Sequence, residues 1–86
     1  MSQSLQPKRL PETAAEISVE WIAERRAILQ HEGHAIRACA SSLTIEIQCI
    51  NNPDRWLYLG RDGFPLVFAT AADRDAILAQ LWSHSP

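Results

Sequence analysis

Four residues with the side chains of a zinc site lie close together in this sequence. They are His31, His34, Cys39 and Cys49, and imidazole nitrogens and thiolates are ligands that zinc prefers. The two histidines straddle Gly33, however, and the cysteines form no CxxC motif. The pattern therefore favours a pair of surface histidines and two buried, inert thiols, and we expect neither a metal ion nor another cofactor.

The dipeptide Ser41-Ser42 sets the expected geometry of this segment. As a two-residue hairpin turn it would place Cys49 opposite His34 and Cys39 opposite Thr44. A disulfide between the two cysteines is then disfavoured, because bridged cysteines need Cα atoms within about 7 Å. Since the sequence has only two cysteines and no recognisable secretion signal, we expect the protein in the reducing cytoplasm.

Catalytic motifs are missing from the sequence. It contains no Gly-rich phosphate loop, nucleophile elbow or zinc-protease motif. Asp73 and Asp75 stand two positions apart near the start of a predicted helix, where their side chains point in different directions. They are better explained as first-turn residues that the helix dipole favours. We therefore expect a protein that is not an enzyme.

Glutamates recur at every fourth position near the N-terminus, at Glu12, Glu16, Glu20 and Glu24. On one helix each neighbouring pair would repel by a few tenths of a kcal/mol. The simpler interpretation is a solvated helix face. The alternative is an acidic stripe that meets arginines, either of this chain's own sheet or of a partner.

Trp21 and Arg25 are one helical turn apart within the same segment. A Trp–Arg pair is typical of an interface hot spot, although Trp21 could instead be a core residue with Arg25 extending past it. Together with Glu20 and Glu24, the pair forms our first candidate protein-binding set.

A second candidate set comes from a predicted hairpin. Trp56 and Tyr58 share one face of its first strand, and Leu57 and Leu59 share the other. Both faces are thus apolar, whereas a simple two-layer fold buries only one. Either the helices cover opposite faces, or one face is buried against a second chain. A homodimer would also stabilise so small a domain.

The same hairpin suggests an alternative function. Arg55, Arg61 and Phe64, with the aromatics Trp56 and Tyr58, could form a platform for stacked nucleobases. The basic residues are scattered, however, and the chain has a formal net charge of −2. Nucleic acid is therefore a less expected partner than protein.

The length of 86 residues, of which 47% are hydrophobic, fits one folded domain. We expect residues 1–9 to be a flexible arm and residues 10–86 to be a single α+β domain. No stretch approaches the roughly 18 apolar residues of a membrane span, so we expect no membrane association.

The helix that carries the glutamates is predicted to run for about 20 residues. It begins near Pro11, where Thr13 and Glu16 fit a capping box, and it ends at Gly33, a residue suited to the left-handed C-terminal position. Residues 34–42 are either a short strand, which we favour, or a continuation of this helix.

Alternating apolar residues predict a strand over residues 43–49, and a turn at residues 51–54 precedes the hairpin strands 56–59 and 64–69. Pro65 places the last strand at an edge. A final helix is predicted from Ala71 to Ser83, with an apolar face of Leu78, Leu81 and Trp82 to which Ala76 or Ile77 contributes. The fold class is thus α+β: a long N-terminal helix, an antiparallel β-meander of three to four strands, and a C-terminal helix packed on the sheet.

These features together predict a small, non-enzymatic protein that acts by binding other protein and forms a homodimer. Because the chain is small, it suits an accessory or inhibitory protein of a larger bacterial or phage complex. The alternative is a nucleic-acid-associated regulator that uses the arginines and aromatics of the hairpin.

Overall fold

Two helices and five short strands make up the part of the chain that the computed structural model describes, residues 10–61 and 63–82. The fold is α+β, as the sequence predicts. The expected arm at residues 1–9 lies outside the described residues. In chain order the elements are α1 (Val19–Glu32), β1 (Ile36–Ala38), β2 (Ile45–Gln48), β3 (Trp56–Tyr58), β4 (Gly60–Arg61), β5 (Phe64–Pro65) and α2 (Ala71–Trp82).

The N-terminal helix is shorter than predicted. A single 3₁₀ turn spans Ala14–Glu16, and the chain is extended at Ile17 before α1 begins. The cause is tertiary, because the backbone of Glu12 pairs with the segment after β5. Its N–H donates to Val67 at 2.8 Å, and its carbonyl accepts from Ala69 at 2.8 Å. The prediction of a continuous helix from Pro11 is therefore wrong.

Local signals fix both ends of α1. The Ser18 hydroxyl accepts a hydrogen bond from the Trp21 N–H at 3.0 Å, as an N-cap residue does. Gly33 ends the helix with a φ of 77°, a left-handed conformation that glycine adopts without steric cost. The predicted stop at Gly33 is thus confirmed.

Residues 34–42 form a strand and a turn rather than more helix. β1 pairs antiparallel with β2, with Arg37 opposite Glu46 and Ile36 opposite Ile47. The Cys39 N–H donates to the Thr44 carbonyl at 3.0 Å. This register is the one expected from a two-residue Ser41-Ser42 turn.

β3 completes a three-stranded antiparallel sheet in the order β1-β2-β3, with Leu57 opposite Ile47. The chain then continues into the β4–β5 hairpin, where Arg61 pairs with Phe64. Pro65 stands opposite Gly60 in a two-stranded sheet, which agrees with its predicted place at an edge.

The core lies between the sheet and the two helices. α2 packs against both α1 and β1. Its buried residues are Ile77 and Leu81, and Leu78 is partly buried. Trp82 was predicted on the apolar face but is 48% exposed. The remaining buried members of the core are Ile17, Ile22, Leu29, Ile45, Leu59, Leu66 and Phe68.

Within residues 10–61 and 63–82, neither helix has the length and apolar character needed to cross a membrane.

Candidate protein-binding site

The outer edge of β3 carries backbone groups that point away from the sheet. Leu59 donates to Ile45 in β2 at 2.7 Å, and Arg55 accepts from Cys49 at 2.9 Å. Backbone groups alternate in direction along an antiparallel strand. The N–H and C=O groups of Trp56 and Tyr58 therefore face the opposite side.

The β4–β5 hairpin leaves that outer edge open. Leu59 accepts a hydrogen bond from Leu66 at 2.9 Å, and Arg61 pairs with Phe64. Along an extended segment, the backbone groups of alternate residues such as Leu59 and Arg61 point to the same side. Leu59 already bonds to β2 on that side, so β5 lies on the side of β3 that β2 also occupies. β1 and β3 are consequently the two edges of the three-stranded sheet.

Side chains at this edge are exposed on both faces of the sheet. Leu57 belongs to the core-facing side but is 49% exposed, and Tyr58 on the other side is 54% exposed. Leu59, two residues further along, is only 2% exposed. The far end of the segment is therefore part of the buried core, whereas its middle is half exposed.

Trp56 lies on the same face as Tyr58 and carries a stacked arginine. The Arg37 guanidinium carbon is 3.8 Å from the centre of the Trp56 ring, and its Nε donates to the Glu46 carboxylate at 2.9 Å. Arg37 and Glu46 are not among the residues predicted from the sequence. The Ser41-Ser42 register would have revealed this pair, since it places the two residues directly opposite each other.

The helical candidate set divides into buried and exposed members. Trp21 packs against the core, and the Arg25 guanidinium carbon lies 5.3 Å from the centre of its ring. Within the described residues, Arg25 Nε is buried and has no hydrogen-bond partner. Glu20 and Glu24 are exposed. The surface that this set offers is therefore mainly acidic, and the Trp–Arg pair is half-buried.

The four regularly spaced glutamates do not lie on one helix, because only Glu20 and Glu24 belong to α1. Glu12 is 6% exposed, and its carboxylate is 2.8 Å from Arg61 Nη2. This glutamate thus meets an arginine of the chain's own hairpin. The predicted stripe of four carboxylates in register is wrong, because the chain pairs with another segment before α1 begins.

The residues of the nucleic-acid alternative are only partly assembled. Arg61 belongs to the ion pair with Glu12 and lines a polar cleft of about 400 Å³ together with Trp21 and Arg25. Arg55 is exposed at the start of β3, and Phe64 is half-buried in β5. Because carboxylates neutralise both Arg61 and Arg37, little free positive charge accompanies the aromatic side chains.

His34 is held between two hydrogen-bond acceptors. Its Nδ1 donates to the Gln48 carbonyl at 2.9 Å, and its Nε2 donates to the Glu32 carboxylate at 2.8 Å. The Gln48 carbonyl, followed by Glu32, raises the pKa of His34 above its usual value. The ring is therefore occupied on both sides. In the described part of the chain, no group of three His, Cys, Asp or Glu residues is arranged for a metal ion.

Both cysteines are free thiols. Cys39 is 5% exposed, and its Sγ lies 3.5 Å from the Ser41 hydroxyl. Hydrogen bonds from the Ser41 and Ser42 hydroxyls lower the pKa of the Cys39 thiol to about 7. The expectation of a buried thiol holds for Cys39, whereas Cys49 is only half-buried.

The described residues thus form a small α+β protein whose three-stranded sheet carries half-exposed apolar side chains on the edge strand β3. Comparison of the chain with protein-family models, with curated proteins and with solved structures finds no match.

Proposed function

We propose that this protein acts by binding protein, not by catalysis, and that its first partner is a second copy of itself. The observation that carries the proposal is the pair Leu57 and Tyr58, which are about half exposed on opposite faces of one edge strand. Isolated exposed apolar residues are common on protein surfaces. Here they accompany outward-facing backbone groups, which is the combination that strand pairing between chains uses.

Trp56 and Tyr58 supply the aromatic part of the proposed interface. Tyrosine and tryptophan are enriched in interfaces because they bury much area for few rotatable bonds. Arg37 supports the Trp56 ring from one side, so its position is already ordered before any partner binds. An ordered aromatic side chain loses less entropy on association.

The helical residues have a secondary role in the proposal. Glu20 and Glu24 supply exposed negative charge. Trp21 and Arg25 form a half-buried stacked pair on the same helix. Charges at the rim of an interface mainly affect the association rate and specificity. This suits an accessory or inhibitory protein with a basic target surface. The proposal places the protein in the cytoplasm, where free thiols persist.

Sedimentation equilibrium of the full chain at about 1–100 μM tests self-association. We expect a species of twice the chain mass in the wild type and at least about a tenfold weaker dimer for Leu57→Lys, because a charge at the edge opposes strand pairing. Val19→Lys is the matched control, since Val19 is 76% exposed on α1. A monomeric wild type, or equal weakening by both variants, would contradict the proposal.

Gel-shift assays with single-stranded DNA and RNA test the alternative partner. Binding through phosphates falls steeply as the salt concentration rises. We expect no shift at about 50 mM salt, where such contacts are strong. A shift that disappears with added salt and with Arg55→Ala would favour the nucleic-acid function instead.

A further inference from the structure

We propose that two copies of this chain pair antiparallel through β3, with the two-fold axis at Leu57, and so join two three-stranded sheets into one. The inference rests on the proposed function and specifies its geometry. Three observations carry it: the direction of the backbone groups, the exposed side chains beside them, and the charges on either side of the axis.

Backbone geometry favours an axis at Leu57. The outward-facing residues of β3 are Trp56 and Tyr58, one on each side of Leu57. Two antiparallel copies centred on Leu57 place Trp56 of one opposite Tyr58 of the other, and each such pair exchanges two backbone hydrogen bonds. The edge then forms about four hydrogen bonds without moving the chain.

The side chains are self-complementary in the same register. Leu57 of one copy meets Leu57 of the other on the core-facing side, where each is 49% exposed in the single chain. On the outer side Trp56 meets Tyr58, and aromatic cross-strand pairs contribute favourably to sheets. Both partly exposed faces of the edge are thus covered by one contact.

The charges near the axis fit this arrangement. Asp54 and Arg55 would stand opposite Gly60 and Leu59 of the second copy, which are uncharged. Arg61, the nearest arginine diagonal to Arg55, is already paired with Glu12 of its own chain. No charge therefore stands directly opposite a charge of like sign in this register, an arrangement that would destabilise a strand pair.

β3 is a short edge strand of three residues, and its side chains do not oppose pairing. Natural edge strands carry lysine, proline or a bulge that keeps other strands away. β3 reads Trp-Leu-Tyr and contains none of these. β1, the other edge strand, differs from β3 in that α2 packs against it.

Single-cysteine variants of the full chain test the register. At a two-fold axis the facing Cα atoms of a non-hydrogen-bonded pair are about 4.5 Å apart, which lies within the disulfide range of about 4.4–6.8 Å. Leu57→Cys should therefore form a covalent dimer on mild oxidation. Tyr58→Cys alone should give at least about a tenfold smaller cross-linked fraction, whereas a mixture of Tyr58→Cys with Trp56→Cys should cross-link.

The wild type, oxidised in the same way, controls for Cys39 and Cys49, and peptide mass mapping identifies the bridged residue. Circular dichroism of each reduced variant verifies that it is folded. Stronger cross-linking of Tyr58→Cys alone than of Leu57→Cys would overturn the axis at Leu57.

A dimeric wild type whose β3 cysteines never cross-link would overturn the strand pairing but leave self-association intact. A wild type that stays monomeric would instead overturn the proposed function.

Discussion

The two edge strands of the three-stranded sheet, β1 and β3, differ in the contacts that other elements make with them. β1 has α2 packed against it, and the turn that follows β1 is held by Arg74, whose Nη1 donates to the carbonyls of Cys39 and Ser42 at 3.2 and 3.1 Å. Among the described residues, neither helix makes a contact of that extent with β3, and Leu57 and Tyr58 on it are about half exposed. The difference teaches that a 12-residue α2, packed against β1, leaves apolar side chains of β3 half exposed.

The largest expected effect is on the free energy of unfolding, which should differ between truncation of Ile77 in α2 and of Leu57 in β3. Ile77 in α2 is fully buried, whereas Leu57 is half exposed. Ile77→Ala should lower the free energy of unfolding by about 2–5 kcal/mol, because it leaves a cavity. Leu57→Ala should change it by about 0.5 kcal/mol or less in dilute monomer. Urea denaturation measures both, and equal losses would remove the distinction between the edges.

Arg74 gives the next largest effect. Arg74→Met keeps the aliphatic stem but removes the charged donors to the Cys39 and Ser42 carbonyls, and it should cost about 1.5–3 kcal/mol. Arg26→Met is the matched control, since Arg26 makes a single exposed bond to the Gln80 carbonyl. If urea denaturation shows the control to be as destabilised as Arg74→Met, the turn is not held by Arg74.

The pH dependence of stability should reveal the contacts of His34 beside β1. Because folding raises the pKa of His34, its stabilisation is complete below the unfolded-state pKa and is lost as the pH rises through the folded-state pKa. After solvent screening we expect about 1 kcal/mol or less.

Thermal or urea unfolding at pH 5 and pH 8 measures this contribution. Wild type should exceed His34→Asn by more at pH 5 than at pH 8. A difference that is constant, or larger at pH 8, would contradict a protonated imidazole between Gln48 and Glu32.

The smallest effect is expected on the outer face, at the Arg37–Glu46 pair. Both side chains reach solvent, so a double-mutant cycle with Arg37→Met and Glu46→Gln should give a coupling free energy of about 0.2–1 kcal/mol. Added salt should reduce that coupling. A coupling well above this range would mean that the outer face stabilises the fold rather than being available to a partner.

The parts of the fold that local chemistry controls could be predicted from the sequence. Alternation of apolar residues identified β2, Gly33 fixed the end of α1, and the Thr70 hydroxyl caps α2 by accepting from the Asp73 N–H at 3.1 Å. The Ser41-Ser42 turn fixed the register of β1 on β2. Each of these depends on residues that are neighbours along the chain.

Only part of the candidate site could be predicted from the sequence, because its other contacts join residues that are distant along the chain. Trp56 and Tyr58 share a face by simple alternation along a strand. That Arg37 stacks on Trp56 could be inferred only once the order of three strands was known. No single segment of the sequence shows that α2 packs against β1, because the two elements are far apart along the chain.

The sequence by itself determined the elements, their caps and their turns, because these follow from backbone preferences and short-range hydrogen bonds. The tertiary structure alone decided two things. Glu12 lies outside the predicted helix, because its backbone pairs with residues 67–69 instead of forming helical hydrogen bonds. Its carboxylate forms an ion pair with Arg61. The tertiary structure also placed α2 against β1 rather than β3, because burial of apolar area depends on how all the elements pack together and not on any one of them.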